Sequence, residues 1–200
     1  MPPPLTPLSA TLVEATRHIE RPSIELKFSS SGVNIVNSVV IDAAGRPIYT
    51  ILSDSKRTKL LSHRDNTEIA TVEWDRSSPR MVFRGKKTKC KEWLPLAGPD
   101  TESRLLVHGD AQFTWMQRSS RGFLIPANRP GLAVAKWRTK SRTDELLVKI
   151  FQEALVEPGL LEAIILSIVL LQSGHSFGDM LEIASLGPKF YAAGNFVGGR

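Results

Sequence analysis

The chain has 200 residues, 42% of them hydrophobic, with 26 basic against 20 acidic side chains and a net charge of +6. That length allows one domain with a real core, and a lone cysteine, Cys90, excludes an intramolecular disulfide framework. The basic excess suits an anionic membrane surface, nucleic acid or an acidic partner, and it equally suits a solvated surface.

Residues 1–21 open with Pro2-Pro3-Pro4 and Pro7 and read as a mobile, extended lead. They lack a charged segment followed by an apolar core, so no secretory signal is expected and the protein is read as cytoplasmic or peripheral to membranes. From Pro22 the hydrophobic period becomes two. Ile24, Leu26 and Phe28 alternate with polar residues, as on a half-buried strand. Strand patterns follow at 33–41, 48–52, 58–63, 67–74, 81–84 and 88–94, separated by turn signals such as Ala44-Gly45-Arg46-Pro47, Asp65-Asn66 and Gly85-Lys86-Lys87. After a Pro/Gly-containing break at 95–100, further short strands are expected at 104–107, 112–117, 122–125, 132–137 and 145–151.

Leu160 to Leu171, LLEAIILSIVLL, is the longest apolar run, broken only by Glu162 and Ser167. Its length favours a helix over a strand. Pro158 suits a first turn, Glu162 complements the positive helix end, and Gly174 suits a stop. A helix apolar nearly all round must be buried nearly all round. About a dozen residues give a rod of roughly 18 Å, too short for a hydrocarbon core near 30 Å. Many short strands followed by one such helix predict a mainly β fold: a closed antiparallel β-barrel of about twelve strands around a central hydrophobic C-terminal α-helix. The barrel with its helix is assigned to 22–173 and a tail to 174–200.

Asp42…Gly45-Arg46-Pro47-Ile48-Tyr49-Thr50-Ile51, Ile69-Ala70-Thr71-Val72-Glu73-Trp74, Phe113-Thr114-Trp115 after a Gly-Asp turn, Val134-Ala135-Lys136-Trp137 and the terminal apolar helix occur in one order. In this the chain resembles a fungal family of uncharacterised domains in the tubby C-terminal-like superfamily, which also holds the LURP-one-related and phospholipid-scramblase folds. The resemblance implies the same barrel and a role in binding phosphoinositide or other phospholipid. It transfers no binding residue one by one.

The sharpest motif is Gly174-His175-Ser176-Phe177-Gly178, which fits the G-x-S-x-G elbow of serine hydrolases. That chemistry needs a later histidine, and none follows. A serine hydrolase is therefore a distant alternative, and no catalytic residue is assigned. His18, His63, His108 and His175 stand apart from one another and from Cys90, so neither a metal site nor a cofactor is expected. The tryptophans of alternating strands, Trp74, Trp115 and Trp137, read as core, which makes a nucleic-acid platform the weaker choice. What remains is clustered cations: Lys56, Arg57 and Lys59 at one turn, Arg84, Lys86, Lys87, Lys89 and Lys91 at a second, and Arg138, Lys140 and Arg142 at a third. On one strand, Lys87, Lys89 and Lys91 would point the same way. The expectation is a non-enzymatic binding module whose basic loops engage anionic phospholipid or phosphoinositide head groups at a membrane surface. The alternative is a protein-interaction or structural domain without a small-molecule ligand, its lysines guarding β-edges.

Overall fold

The structure is a computed structural model that describes residues 23–30, 35, 37–74, 78–98, 103–118, 120–140, 145–175 and 177. The proline-rich lead, Arg142, Ser176 and the tail from Gly178 onward lie outside the described residues.

The period-two segments form strands β1 (Ile24–Ser30), β2 (Ser38–Asp42), β3 (Pro47–Ser53), β4 (Arg57–Ser62), β5 (Glu68–Glu73), β6 (Arg80–Phe83) and β7 (Lys86–Lys89). After a helical turn, α1 (Cys90–Trp93), come β8 (Arg104–His108), β9 (Ala111–Arg118), β10 (Arg121–Pro126), β11 (Ala135–Thr139) and β12 (Leu146–Ile150). Two helices close the described chain, α2 (Gln152–Val156) and α3 (Leu160–Gln172). The twelve strands make one antiparallel sheet in the order β7-β6-β5-β4-β3-β2-β1-β12-β11-β10-β9-β8. Two meanders are thus joined through the β1–β12 pair, with Leu26 opposite Val148.

The apolar run is the helix α3, and residues 163–170 are buried at every position, so every side of the rod is covered. Gly174, at φ 73, ends it in the left-handed conformation. Its start differs from the expectation. Gly159, at φ 84, caps the helix, and Pro158 stands before it rather than in its first turn.

The sheet curls about this helix. Laid flat, twelve strands would span about 53 Å. Yet β6 is second in the order and β9 is eleventh, and both reach α3. The Arg84 guanidinium, just after β6, lies 3.4 Å from Glu162. The Trp115 indole N–H, on β9, donates to Ser167 Oγ at 2.8 Å. Trp115 and Trp137 are core residues, as their alternation predicts.

Closure by hydrogen bonds, expected of a barrel, is not found: β7 and β8 are the two edges of the sheet. The chain between them explains why. The expected strand 88–94 stops at Lys89, where the Cys90 N–H bonds to Pro79 O and the Leu94 N–H folds back onto Cys90 O to make α1. Lys91 therefore leaves the alternation with Lys87 and Lys89. The segment before β8 bonds to that strand's own start, Leu105 N–H to Pro95 O, which covers part of its free edge. On the opposite edge, β7 is Lys-Lys-Thr-Lys, a composition that resists pairing with a foreign strand.

The β6–β7 turn is Arg84-Gly85, one residue earlier than expected, with φ 49 and 78. This two-residue geometry normally selects Asn or Gly at its first position. Arg84 accepts it because that backbone aims the guanidinium at Glu162 and across the α-carbon of Gly159, where a Cβ would stand 2.2 Å from it.

Candidate anion-binding face

An antiparallel meander alternates its turns between two ends. The β2–β3, β4–β5, β6–β7, β8–β9 and β10–β11 turns share the near end, where α3 begins. The β3–β4, β9–β10 and β11–β12 turns share the far end, where α3 leaves. This parity divides the candidate cations. Lys56, Arg57, Lys89, Arg138 and Lys140 belong to the far end, with Lys91 beside it in α1, whereas Arg84 and Lys86 belong to the near end. Lys59 and Lys87 sit within strands on the outer surface. They do not form one patch.

Several are already engaged. Arg57 pairs with Glu73 at 3.4 Å, Lys59 with Glu68 at 2.8 Å, Lys89 with Glu92 at 3.2 Å and Lys140 with Glu145 at 3.0 Å. The Lys59 ammonium holds the Glu68 carboxyl below its usual range. Glu145 also receives Lys27 from β1, and these two ammonium groups, Lys27 first, lower its pKa. At the β3–β4 turn the Asp54 carboxylate accepts the backbone N–H groups of Lys56 and Arg57, both at 2.7 Å, which fixes the loop and lowers the Asp54 pKa. Among the described residues Lys56, Lys86, Lys87, Lys91 and Arg138 form no ion pair.

Arg138 stands out for its neighbours. Arg121 is directly opposite Arg138 across β10–β11, and Arg118 is directly opposite Arg121 across β9–β10. Directly opposed residues point to one face with Cβ atoms about 5 Å apart. All three arginines are exposed, and none forms an ion pair among the described residues. The next outward row holds half-buried Met116 and Phe123 with Lys136 opposite Phe123, and Leu147 follows Arg138 in register on β12. The outer face at the far end is thus a row of guanidiniums edged by three apolar side chains and one lysine.

Arg118 and Arg121 are not among the loop cations singled out from sequence. Their signal is the run Arg118-Ser119-Ser120-Arg121, since residues flanking a two-residue hairpin loop face each other. The glycine that follows is also tied to this hairpin. A Cβ at Gly122 would stand 2.0 Å from Trp137 Nε1, so the strand bearing Arg121 lies flat on a buried indole.

The hydrolase-like motif sits elsewhere. Gly174 follows a helix rather than a strand, and the His175 ring stacks on Trp74 at 4.2 Å, with partial burial lowering its pKa. Ser176 lies outside the described residues. Cys90 is fully buried, which pushes its thiol up to about 12. Among the described residues no group of three or more His, Cys, Asp or Glu side chains could hold a metal ion, and no helix is long and apolar enough to cross a membrane.

These features define a β-rich domain whose curled antiparallel sheet encloses one apolar helix and carries a cationic outer face. The chain belongs to DUF6593, a family of unknown function, whose profile matches residues 33–176. No curated protein matches it. Among solved structures it is similar to a protein from Arabidopsis thaliana, with 13% identity, a TM-score of 0.34, and 72% of this chain and 90% of that one covered. A likeness of that size adds nothing to the assignment of function.

Proposed function

We propose that this protein is a non-enzymatic binding module that engages anionic phospholipid, phosphoinositide included, at a membrane surface from the aqueous side. The observation that carries the reading is the Arg118–Arg121–Arg138 row on one outward face, without ion pairs among the described residues. Guanidinium groups offer forked donors that match phosphate oxygens. Met116, Phe123 and Leu147 beside them provide apolar contact at the level of the head groups. Lys56, at another turn of the same end, adds a further charge without an ion pair among the described residues. The resemblance to the tubby C-terminal-like superfamily points the same way, and with it comes the finer expectation that the curled sheet acts as a barrel.

Sedimentation with phosphatidylcholine vesicles, with and without added phosphoinositide, tests the proposal. Each cation near an anionic surface contributes ~1 kcal/mol, so replacing all three arginines by glutamine should weaken binding by roughly a hundredfold. Lys86→Gln with Lys87→Gln, at the other edge of the sheet, should change little. Equal pelleting with neutral and anionic vesicles at low ionic strength would defeat the reading.

A further inference from the structure

The near end carries a site of opposite character. A cavity of about 560 Å³ lies between the β8–β9 turn, the β10–β11 loop and α2. That is within the ordinary range for a small-ligand pocket. Phe113, Val134 and Leu160 supply its floor and are themselves buried, and Leu132 adds a half-buried wall. Val156, 76% exposed, stands at its mouth as an apolar side chain facing water.

The polar rim decides what such a cavity accepts. Asp110, Glu153 and Glu157 contribute three carboxylates, against one guanidinium from Arg129. None of the four forms an ion pair among the described residues. Glu157 is positioned against the turn that carries Asp110. The His108 ring nitrogen Nε2 lies 2.9 Å from Pro158 O and ties the α2–α3 link to β8. Glu157 Oε1 then lies over the β8–β9 turn, 3.5 Å from where a Cβ of Gly109 would be, beside Asp110. Three carboxylates against one guanidinium in the lining, on a chain that is basic overall, favour a cation at this cavity. The carboxylates do not converge tightly enough to make a metal site. A spread anionic rim above an apolar floor matches a larger ion, with its charge at the mouth and its hydrocarbon body below.

We propose that this cavity binds a small organic cation with an apolar body, an alkyl- or arylammonium compound. The site is separate from the arginine face, at the other end of the sheet, and neither proposal depends on the other.

The probes are octylammonium, octanol and octanoate, titrated into the full chain at neutral pH and followed by backbone amide shifts. Octylammonium should shift Ala111, Gln112 and Leu132 and bind about tenfold more tightly than octanol, with octanoate weakest. Glu157→Gln combined with Glu153→Gln should erase the preference for the cation over octanol. Both side chains are exposed, so folding should survive. Indistinguishable affinities for the three probes, or a cation preference that persists in the double variant, would overturn the assignment.

Discussion

Arg121 occupies the centre of the outward arginine row, with Arg118 opposite on one side and Arg138 on the other. Like charges directly opposite across strands are destabilising, and opposite charges contribute ~0.2–1 kcal/mol per pair. Arg121→Glu converts two repulsive contacts into two attractive ones. The expected gain is on the order of 1 kcal/mol at low salt, less when screened. For a chain of this length 1 kcal/mol moves the melting temperature by about 2–4 °C. The same substitution removes one phosphate donor and engages two others, so anionic-vesicle binding should fall by more than tenfold. Thermal melts at low and high salt, run beside vesicle sedimentation, measure both effects on one protein. A surface that exists only for solubility predicts the melting shift but not the loss of vesicle binding. If Arg121→Glu melts at or below the parent temperature at low salt, the three guanidiniums are not neighbours and the proposed site loses its basis.

The packing makes further predictions. Ser167→Ala leaves the buried Trp115 indole N–H without its acceptor, a loss of ~1–3 kcal/mol in urea unfolding. In the Trp115→Phe background the same change should cost clearly less, and full additivity would deny the contact. Gly122→Ala drives a Cβ into the Trp137 ring and should destabilise by ~1–3 kcal/mol, measured the same way. Cys90, with its thiol pushed up to about 12 by burial, should resist iodoacetamide at pH 8 until urea unfolds the chain; rapid native labelling would refute that burial. Hydrogen bonds from Lys27 and Lys140 hold the Glu145 pKa below its ordinary 4.5, so its contribution is complete above that pH and is lost as pH falls through the lower folded value. Glu145→Gln should therefore flatten part of the acid limb in a pH series of melts.

Much of the fold was legible because its signals are local. Ala70 and Val72, alternating with Thr71 and Glu73, mark β5 and its buried face, and both are about 1% exposed. The run LLEAIILSIVLL announces a helix without a polar stripe, and its buried surface agrees. What escaped depends on partners distant in sequence. Cys90 to Trp93 continues the expected strand in sequence but turns helical, because the ladder with β6 ends at Arg80–Lys89 and, after one further bond from Cys90 N–H to Pro79 O, the chain folds back on itself. Closure is likewise a property of whether β7 and β8 meet, which neither strand's composition states. The candidate site was legible only in part for the same reason. Runs of lysine attract the eye, yet a count along the chain does not show that Lys59 and Lys140 already have carboxylates, or that hairpin register brings Arg118, Arg121 and Arg138 into one row.

The distribution of charge across the sheet gives that row its weight. Where β1 meets β12, Glu25 is directly opposite Lys149 and pairs with it at 2.9 Å; where β4 meets β5, Arg57 is opposite Glu73. Like charges do face each other elsewhere, but each such pair is compensated. Lys136 is opposite Lys149, and while Lys149 holds Glu25, Lys136 lies 5.0 Å from the Phe151 ring centroid. Arg80 is opposite Lys89, which is drawn to Glu92. In the arginine row no such carboxylate is present among the described residues, and Glu145, at the same end, is taken by Lys27 and Lys140. A sheet that complements its charges in these other registers carries at one face a cost of ~0.2–1 kcal/mol per contact. Such a cost is expected where an anion from outside the chain completes the arrangement, and an anionic vesicle should therefore raise the melting temperature of the parent protein but not that of the Arg121→Glu variant.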